Sequence, residues 1–496
     1  MHTDRFTPLD AATLLRWMQH DLPNKQLFGI DRELFFMPKP DDPFRMERYG
    51  KVLETPLGVA AGPHTQLAQN ILSAWLCGAR YIELKTVQVL DELNVAKPCI
   101  DMADEGYNCE WSQELKLDQS FEEYLKAFVL LYVLRDMLNL PVEAEPGKGP
   151  GFIFNMSAGY NLEGIKSPAV QRFLDRMENA EEDVKRIKAG LAPLYPAIEK
   201  MPIPARLSDN LTVSTMHGCP PDEVESIGRY FITERKYNTA IKLNPTLLGP
   251  ERLRDILNTQ LGYDVCVPDE AFGHDLKYND GVAIIRNLAA AAETAGVAFG
   301  LKLTNTLETA NEKQNLPRSE GMVYMSGRSL HPISINLAER LQQEFDGKLD
   351  IAFSAGVDTF NVADTLACGL RPITMSSDIL KPGGYGRLHQ YLDTLRAEMR
   401  KAGAHTIAEW EKSRSPIAGN PGFANLVSYA AAVLGKRSRY HKERFPYVSV
   451  KTERPLPRFD CAAAPCMSGC PAEQDIPRYL DAVARGDFEL AWRVIT

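Results

Sequence analysis

From about residue 55 the chain alternates two hydrophobic periods. Short apolar runs rich in β-branched residues, with no polar face, read as strands buried on both sides. They fall at Leu57–Ala61, Tyr81–Thr86, Phe152–Met156, Leu211–Thr215, Thr239–Leu243, Val297–Thr304, Asp350–Ser354 and Pro372–Ser376. Between them lie segments whose apolar residues recur at helical spacing, such as Phe121–Leu138, Asp222–Lys236 and Gly281–Ala292. Eight strand–helix units in series predict an α/β fold, a (β/α)8 TIM barrel. An open doubly wound sheet is the alternative.

Three connections are unusually long: Val87–Ser120, Pro245–Asp280 and Asn305–His331. Each follows a predicted strand, so each would sit over the C-terminal face of a barrel, where active sites are built. Residues 1–54 carry an amphipathic helix, Ala11–His20, and then Pro-rich chain. They are predicted to form an N-terminal extension packed on the barrel. The barrel is assigned to residues 55–395 and a helical linker region to 396–450. Within that region the basic run Gly435–Phe445 reads as a solvated linker. The two prolines of 451–459 mark the start of a third unit, 451–496.

Composition narrows the function classes. A chain of 496 residues with a formal charge of −9 exceeds one hydrophobic core and carries no basic face for nucleic acid. The N-terminus lacks the apolar centre of a signal peptide, and the longest apolar stretch, Ala127–Leu134, is too short to span a bilayer. A cytoplasmic location is expected. Nine cysteines, six of them scattered, do not suggest a disulfide scaffold and fit a reducing compartment.

The other three cysteines are grouped as Cys461-x4-Cys466-x3-Cys470-Pro471. Cluster iron takes sulfur ligands, and a Cys-Pro ending recurs in ferredoxin-type runs, so a 4Fe-4S cluster is the leading reading. Zinc and a plain disulfide or buried-thiol role are the alternatives. No cysteine follows Cys470. The remaining ligands are therefore expected in a continuation past Thr496.

Within the barrel, Cys219 is the candidate catalytic residue. It lies in His217-Gly-Cys219-Pro220-Pro221-Asp-Glu, just past the fourth predicted strand and before a helix. A helix N-terminus favours a thiolate and suits a thiol to proton transfer, with His217 near in sequence. The other reading is a small buried hydrophobe. Lys85 and Lys242 each end an apolar run, where a charge is costly without a partner. That partner is either a carboxylate such as Glu83 or the anionic edge of a reduced flavin. Asn155, Asn161 and Asn305 lie at strand ends, where an amide can read a polar heterocycle; each is equally an ordinary turn former. Small-residue turns at Ser326-Gly327, Gly356-Val357 and Ser376-Ser377 follow the sixth, seventh and eighth units, the places where barrels bind phosphate.

Taken in order, these segments resemble the dihydroorotate dehydrogenase and dihydropyrimidine dehydrogenase family of FMN barrels. The carriers are Pro56-Leu-Gly58-Val-Ala-Ala-Gly62-Pro63, Glu83-Leu-Lys85-Thr86-Val87, Lys242-Leu-Asn-Pro245, Ser326-Gly327 with Pro332, and Gly356-Val357. The resemblance implies FMN held by Gly62, Lys85, Thr86, Lys242, Gly327, Gly356, Val357, Ser376 and Ser377. It implies Cys219 as proton donor or acceptor, and Asn161, Asn305 and Thr306 as substrate-reading residues. Three positions depart from the family: Met216 replaces an asparagine, Ala355 a glycine, and Arg458 a cysteine.

The cysteine unit, with Gln474-Asp-Ile476-Pro477-x-Tyr479, resembles the iron–sulfur domain of dihydropyrimidine dehydrogenase and of the glutamate synthase small subunit. The order of barrel before cysteine unit is similar to the provisionally named selenate reductase subunits of the YgfK type. Together these resemblances imply an iron–sulfur flavoprotein oxidoreductase. Electrons would run from NAD(P)H and FAD, held in a continuation, through 4Fe-4S clusters to FMN. FMN would exchange hydride with an activated C=C or C=N bond of a nitrogen heterocycle. The expected partners are that small molecule, partner redox subunits and further copies of the chain. Nucleic acid and membrane are not expected. A selenate-type oxyanion as substrate, and a flavin-less docking subunit, are the alternatives.

Overall fold

The computed structural model describes residues 6–90, 114–214, 218–312, 321–381, 383–415, 419–444, 470–472 and 474–496. Eight parallel strands close on themselves: β1 (Leu57–Val59), β2 (Tyr81–Glu83), β3 (Ile153–Ala158), β4 (Asn210–Val213), β5 (Asn238–Leu243), β6 (Phe299–Leu303), β7 (Ile351–Phe353) and β8 (Ile373–Met375). Each pairs with its neighbours in sequence, and β8 pairs with β1. The eight predicted runs are these eight strands, and closure excludes the open doubly wound sheet. Apolar runs read clearly here because the barrel interior and the helical layer bury both faces of every strand.

The helices follow from the same amphipathic logic. The sequence-predicted segments become Leu117–Met137, Pro221–Thr233 and Tyr278–Ala295. The first turn of Pro221–Thr233 carries a proline, Asp222 and Glu223, all favourable there. The Ala11–Asp21 helix is capped by Asp10, whose side chain accepts from Thr13 N–H, and it buries Leu14, Leu15 and Met18 in the shared core.

The N-terminal extension closes one end of the barrel. Its hairpin, Met46–Arg48 against Lys51–Leu53, faces residues just before the strands. Arg48 pairs with Asp350 at 3.0 Å, Lys51 with Asp209 at 2.7 Å, and Glu54 with Arg80 at 2.6 Å. The extension does not cover the other end, the mouth at the C-terminal ends of the strands, among the described residues.

Two of the long connections are not simple loops. Pro245–Asp280 folds into short helices, including Pro250–Arg254 and Asp269–His274. Asn305–His331 contains an antiparallel hairpin, Leu307–Ala310 against Met322–Met325. The Ala310 N–H donates to the Cys266 carbonyl at 3.0 Å and joins the two insertions. Most of Val87–Ser120 lies outside the described residues. Past the barrel, helices Ile407–Arg414 and Pro421–Ala432 pack on its outer layer. No helix among the described residues is long and apolar enough to cross a membrane.

Candidate active site

The open mouth holds a cavity of about 360 Å³, with lining residues from all eight strand ends. That convergence is what a parallel barrel does: every strand delivers its C-terminal residues to one face.

Lys85 and Thr86 reach the cavity from the end of β2, and Lys242 from β5. Asn305 and Thr306 enter from the end of β6. Gly327, Gly356, Val357, Ser376 and Ser377 meet on the β6–β8 side. There the three predicted small-residue turns form one cradle. The Ser326 and Ser377 hydroxyls lie 2.7 Å apart, and a Cβ on Gly356 would fall 2.1 Å from the Gly327 carbonyl oxygen. Gly356 takes φ +56°, a left-handed conformation suited to glycine. Ala355, the departure from the family, does not have positive φ, so its Cβ carries no such penalty.

The electrostatics centre on three lysines and one carboxylate. Strand register places Lys242 and Lys302 side by side on β5 and β6. Glu83, from β2, crosses the interior to Lys302 at 2.5 Å, and Thr374 also accepts from Lys302. The second Glu83 oxygen accepts from Ala61 N–H at 3.3 Å. Glu83 is therefore the partner of Lys302, a residue the sequence reading missed. The carboxylate-partner alternative for Lys85 and Lys242 is not realised. Among the described residues, neither ammonium group has a hydrogen-bond or ion-pair partner.

Burial pushes the Lys242 ammonium down to about 8; Glu83 opposes the shift, while Lys302 and Lys85 add to it. Burial likewise holds Lys302 below the usual lysine range, opposed by Glu83. Lys85 and Lys242 thus bring two ammonium groups to a cavity whose lining carboxylates, Glu308 and Asp378, are engaged by His274 and Arg387, so the part of the mouth beside the two lysines suits an anionic ligand. Its affinity for an anion such as inorganic phosphate is expected to weaken about tenfold as pH rises well past 8 and Lys242 loses its proton. Titration calorimetry across that range checks this, and Lys242→Met should flatten the dependence.

Cys219 does not line the cavity. It is half-buried, two residues before the Pro221–Thr233 helix. It connects to the mouth through Gly218, where an added Cβ would lie 3.8 Å from the His274 side chain and whose N–H donates to Asp275 at 3.3 Å. His274 lines the cavity, and its Nε2 lies 3.0 Å from Glu308 Oε2. The expectation of a thiolate is corrected. Burial, then Glu223 and Asp222, push the Cys219 thiol up to about 11. The acidic first turn that favours the helix disfavours a second negative charge beside it.

Three other predicted positions fall outside the lining. Asn161 is exposed and caps helix Leu162–Ile165, its oxygen accepting from Gly164 N–H at 2.8 Å. Its neighbour Tyr160 lines the cavity instead, at φ +98°. Gly62 gives its N–H to the Thr65 hydroxyl at 3.2 Å and is not part of the lining. Asn155 is buried below the mouth and donates to Thr212 at 2.9 Å. Met216, His217, Arg458, Cys461 and Cys466 lie outside the described residues, and Cys470 is half-buried with a free thiol.

Lys302 was legible by the rule that found Lys85 and Lys242, since it too interrupts an apolar strand. His274 and Glu308 had no comparable signal, because each sits on an insertion of unremarkable composition.

Fold and site define a (β/α)8-barrel enzyme domain whose mouth presents the ammonium groups of Lys85 and Lys242, neither with an ion-pair partner among the described residues. The chain belongs to the family described as oxidoreductase YgfK, N-terminal TIM-barrel domain, whose model matches residues 28–417. Residues 449–496 match the model described as dihydropyrimidine dehydrogenase domain II, 4Fe-4S cluster. A redox barrel is thus joined to a 4Fe-4S domain.

Two curated relatives, from Escherichia coli strain K12 and strain O157:H7, bear the provisional name oxidoreductase YgfK. Each is 41% identical over 476 residues, covering 92% of this chain and 44% of the relative. The chain thus spans less than half the length of these relatives. Among solved structures, dihydroorotate dehydrogenase of Eimeria tenella in complex with ferulenol matches at TM-score 0.46 and 16% identity, over 83% of this chain and 96% of that one. The ligand-free type of the same enzyme matches at TM-score 0.43 and 17% identity, over 75% and 92%.

Proposed function

We propose that this chain is the FMN-bearing and first iron–sulfur part of a larger oxidoreductase acting on an activated C=C or C=N bond of a nitrogen heterocycle. The observation that carries this reading is the pairing of Lys85 and Lys242, unpartnered at the mouth, with a cradle only glycine can form. FMN matches both features: it brings a phosphate for backbone N–H groups and a ring edge that turns negative on reduction.

Bound there, FMN supplies hydride exchange with one carbon of the substrate double bond. The chain's own residues do the rest. Gly327, Gly356, Ser376 and Ser377 hold the phosphate, and Lys85 and Lys242 hold the anionic ring edge. Asn305 and Thr306 orient the substrate, and Glu308 accepts from a ring N–H while His274 fixes the carboxylate. Cys219, which lies beside the mouth and not in its lining, would give its S–H proton to the second carbon of the double bond of a substrate that extends toward Gly218. A thiol held up to about 11 keeps that proton through the neutral range, so it is ready as an acid. Cys461, Cys466 and Cys470 would be ligands of a 4Fe-4S cluster, which would supply one-electron transfer between the flavin and an NAD(P)H- and FAD-binding module. The docking alternative is weakened by Ala355, which leaves the cradle intact.

Anaerobic purification of the chain, followed by denaturation, is expected to release one yellow chromophore per barrel with the mass of FMN. Colourless protein that takes up no added FMN sinks the reading.

A further inference from the structure

The phosphate-type turn after β7 is held from behind by residues that belong to the region past the barrel. Ala355 and Gly356 are consecutive, and both line the cavity. The Ala355 carbonyl lies 2.7 Å from His331 Nδ1, and the Gly356 carbonyl accepts from Asn361 Nδ2 at 2.9 Å. A carbonyl only accepts, so His331 Nδ1 must carry its hydrogen. His331 is fully buried, and burial pushes it down to about 4, against opposition from the Ala355 carbonyl and Asp358 and with Arg439 reinforcing. The ring is neutral, and its Nε2 is an acceptor.

The remaining hydrogen directions follow. His331 Nε2 lies 3.0 Å from the Tyr429 hydroxyl, so Tyr429 donates to it. The Tyr440 hydroxyl lies 3.3 Å from that of Tyr429 and must donate in turn. Tyr440 then accepts from Asn361 Nδ2 at 2.9 Å. The Asn361 amide has one orientation, because its oxygen accepts from Asp358 N–H at 2.9 Å. Both hydrogens of one amide thus start a chain that ends on two adjacent carbonyls. The Tyr440 ring stacks on His331 with centroids 5.2 Å apart, and Arg439 pairs with Asp358 at 2.8 Å. The basic run expected to be a solvated linker is therefore locked in place at Tyr440, which is 3% exposed.

A trans peptide points its N–H opposite its C=O. With the Ala355 and Gly356 carbonyls drawn back, the Gly356 and Val357 N–H groups point away from the circuit, toward the cavity side. We propose that Asn361, Tyr440, Tyr429 and His331 form a one-way hydrogen-bond circuit that aims these two N–H groups at an anion. Residues 429–440, outside the barrel's own family match, are then part of the anion site. Four positioning residues are assigned, none of which touches the ligand. The inference rests on reading this mouth as an anion-binding flavin site.

The test uses the full chain and Tyr440→Phe, which keeps the stacked ring and removes only the hydroxyl; Tyr429→Phe is the second variant. Affinities for FMN and for riboflavin, which lacks the phosphate, are measured together with thermal protection by inorganic phosphate. The expected result is a fall of about tenfold in the FMN-to-riboflavin affinity ratio, as for loss of one hydrogen-bonded support. Riboflavin affinity and the phosphate-free melting temperature should stay close to those of the unaltered chain. An unchanged ratio and unchanged phosphate protection in both variants overturn the circuit. If the unaltered chain binds no flavin yet is protected by phosphate, and Tyr440→Phe loses that protection, the flavin reading falls and the circuit stands. No protection of the unaltered chain by phosphate or FMN overturns both.

Discussion

Cys219→Ala is expected to lower substrate turnover by about 10²- to 10⁴-fold, the range for loss of a positioned general acid. FMN content should stay near that of the unaltered chain, because Cys219 lies outside the cavity lining, and the melting temperature should fall only slightly, because the half-buried side chain packs at the edge of the core. The pH profile gives a second check. In the reducing direction Cys219 must be protonated, and its thiol is pushed up to about 11 by burial, Glu223 and Asp222. Apart from a change near pH 8 as Lys242 loses its proton, the profile should stay level to about 10 and decline as the thiolate forms above that. Glu223→Gln removes one of the raising charges, so the decline should begin at lower pH. A steady-state profile of the two proteins on one substrate decides it. Full activity in Cys219→Ala would remove the residue from the mechanism and leave the docking reading in front.

Gly356→Ala is expected to be the most damaging single-methyl change at the mouth. The new Cβ would lie 2.1 Å from the Gly327 oxygen and 2.6 Å from its carbon, both backbone atoms that cannot swing aside. The left-handed φ of +56° adds a penalty of about 1 kcal/mol for any L side chain. Separating the two turns should cost about 2 to 4 kcal/mol of stability in total and empty the cradle of FMN. Chemical denaturation and flavin-to-protein ratio measure the two effects. Ala355→Gly, one position earlier, is the control. Without a positive φ to relieve, it should change FMN occupancy little.

These two residues show what local reading can and cannot supply. Gly356 was identified from a small-residue turn after a strand, and its partner across the gap, Gly327, from another turn. That they touch is a consequence of barrel closure, which brings the ends of β6, β7 and β8 together. Cys219 was identified from its place before a helix, yet its protonation was misjudged. The helix N-terminus was visible in the sequence, whereas the burial that dominates the thiol was not. Asn161 lies three residues past the end of β3 and serves as a helix cap, which any asparagine before a short helix can do. Tyr440 looked solvated because Lys and Arg surround it. Its ring in fact packs on a histidine 109 positions away in sequence, one that ends in the barrel's outer layer.

The order of apolar runs by itself determined the eight strands, their parallel sense and the face on which the candidate groups emerge. This is possible because a strand buried on both sides must be apolar along its whole length, and a lysine within it is conspicuous. Which charge meets which was decided only by the closed barrel. Glu83 and Lys302 are 219 residues apart and meet at 2.5 Å across its interior. That contact satisfies Lys302 and leaves Lys85 and Lys242 at the cavity with no ion-pair partner among the described residues, since the lining carboxylates Glu308 and Asp378 are engaged by His274 and Arg387. Electrostatic energy depends on separation in space and on exclusion of water, and neither is a property of position along the chain.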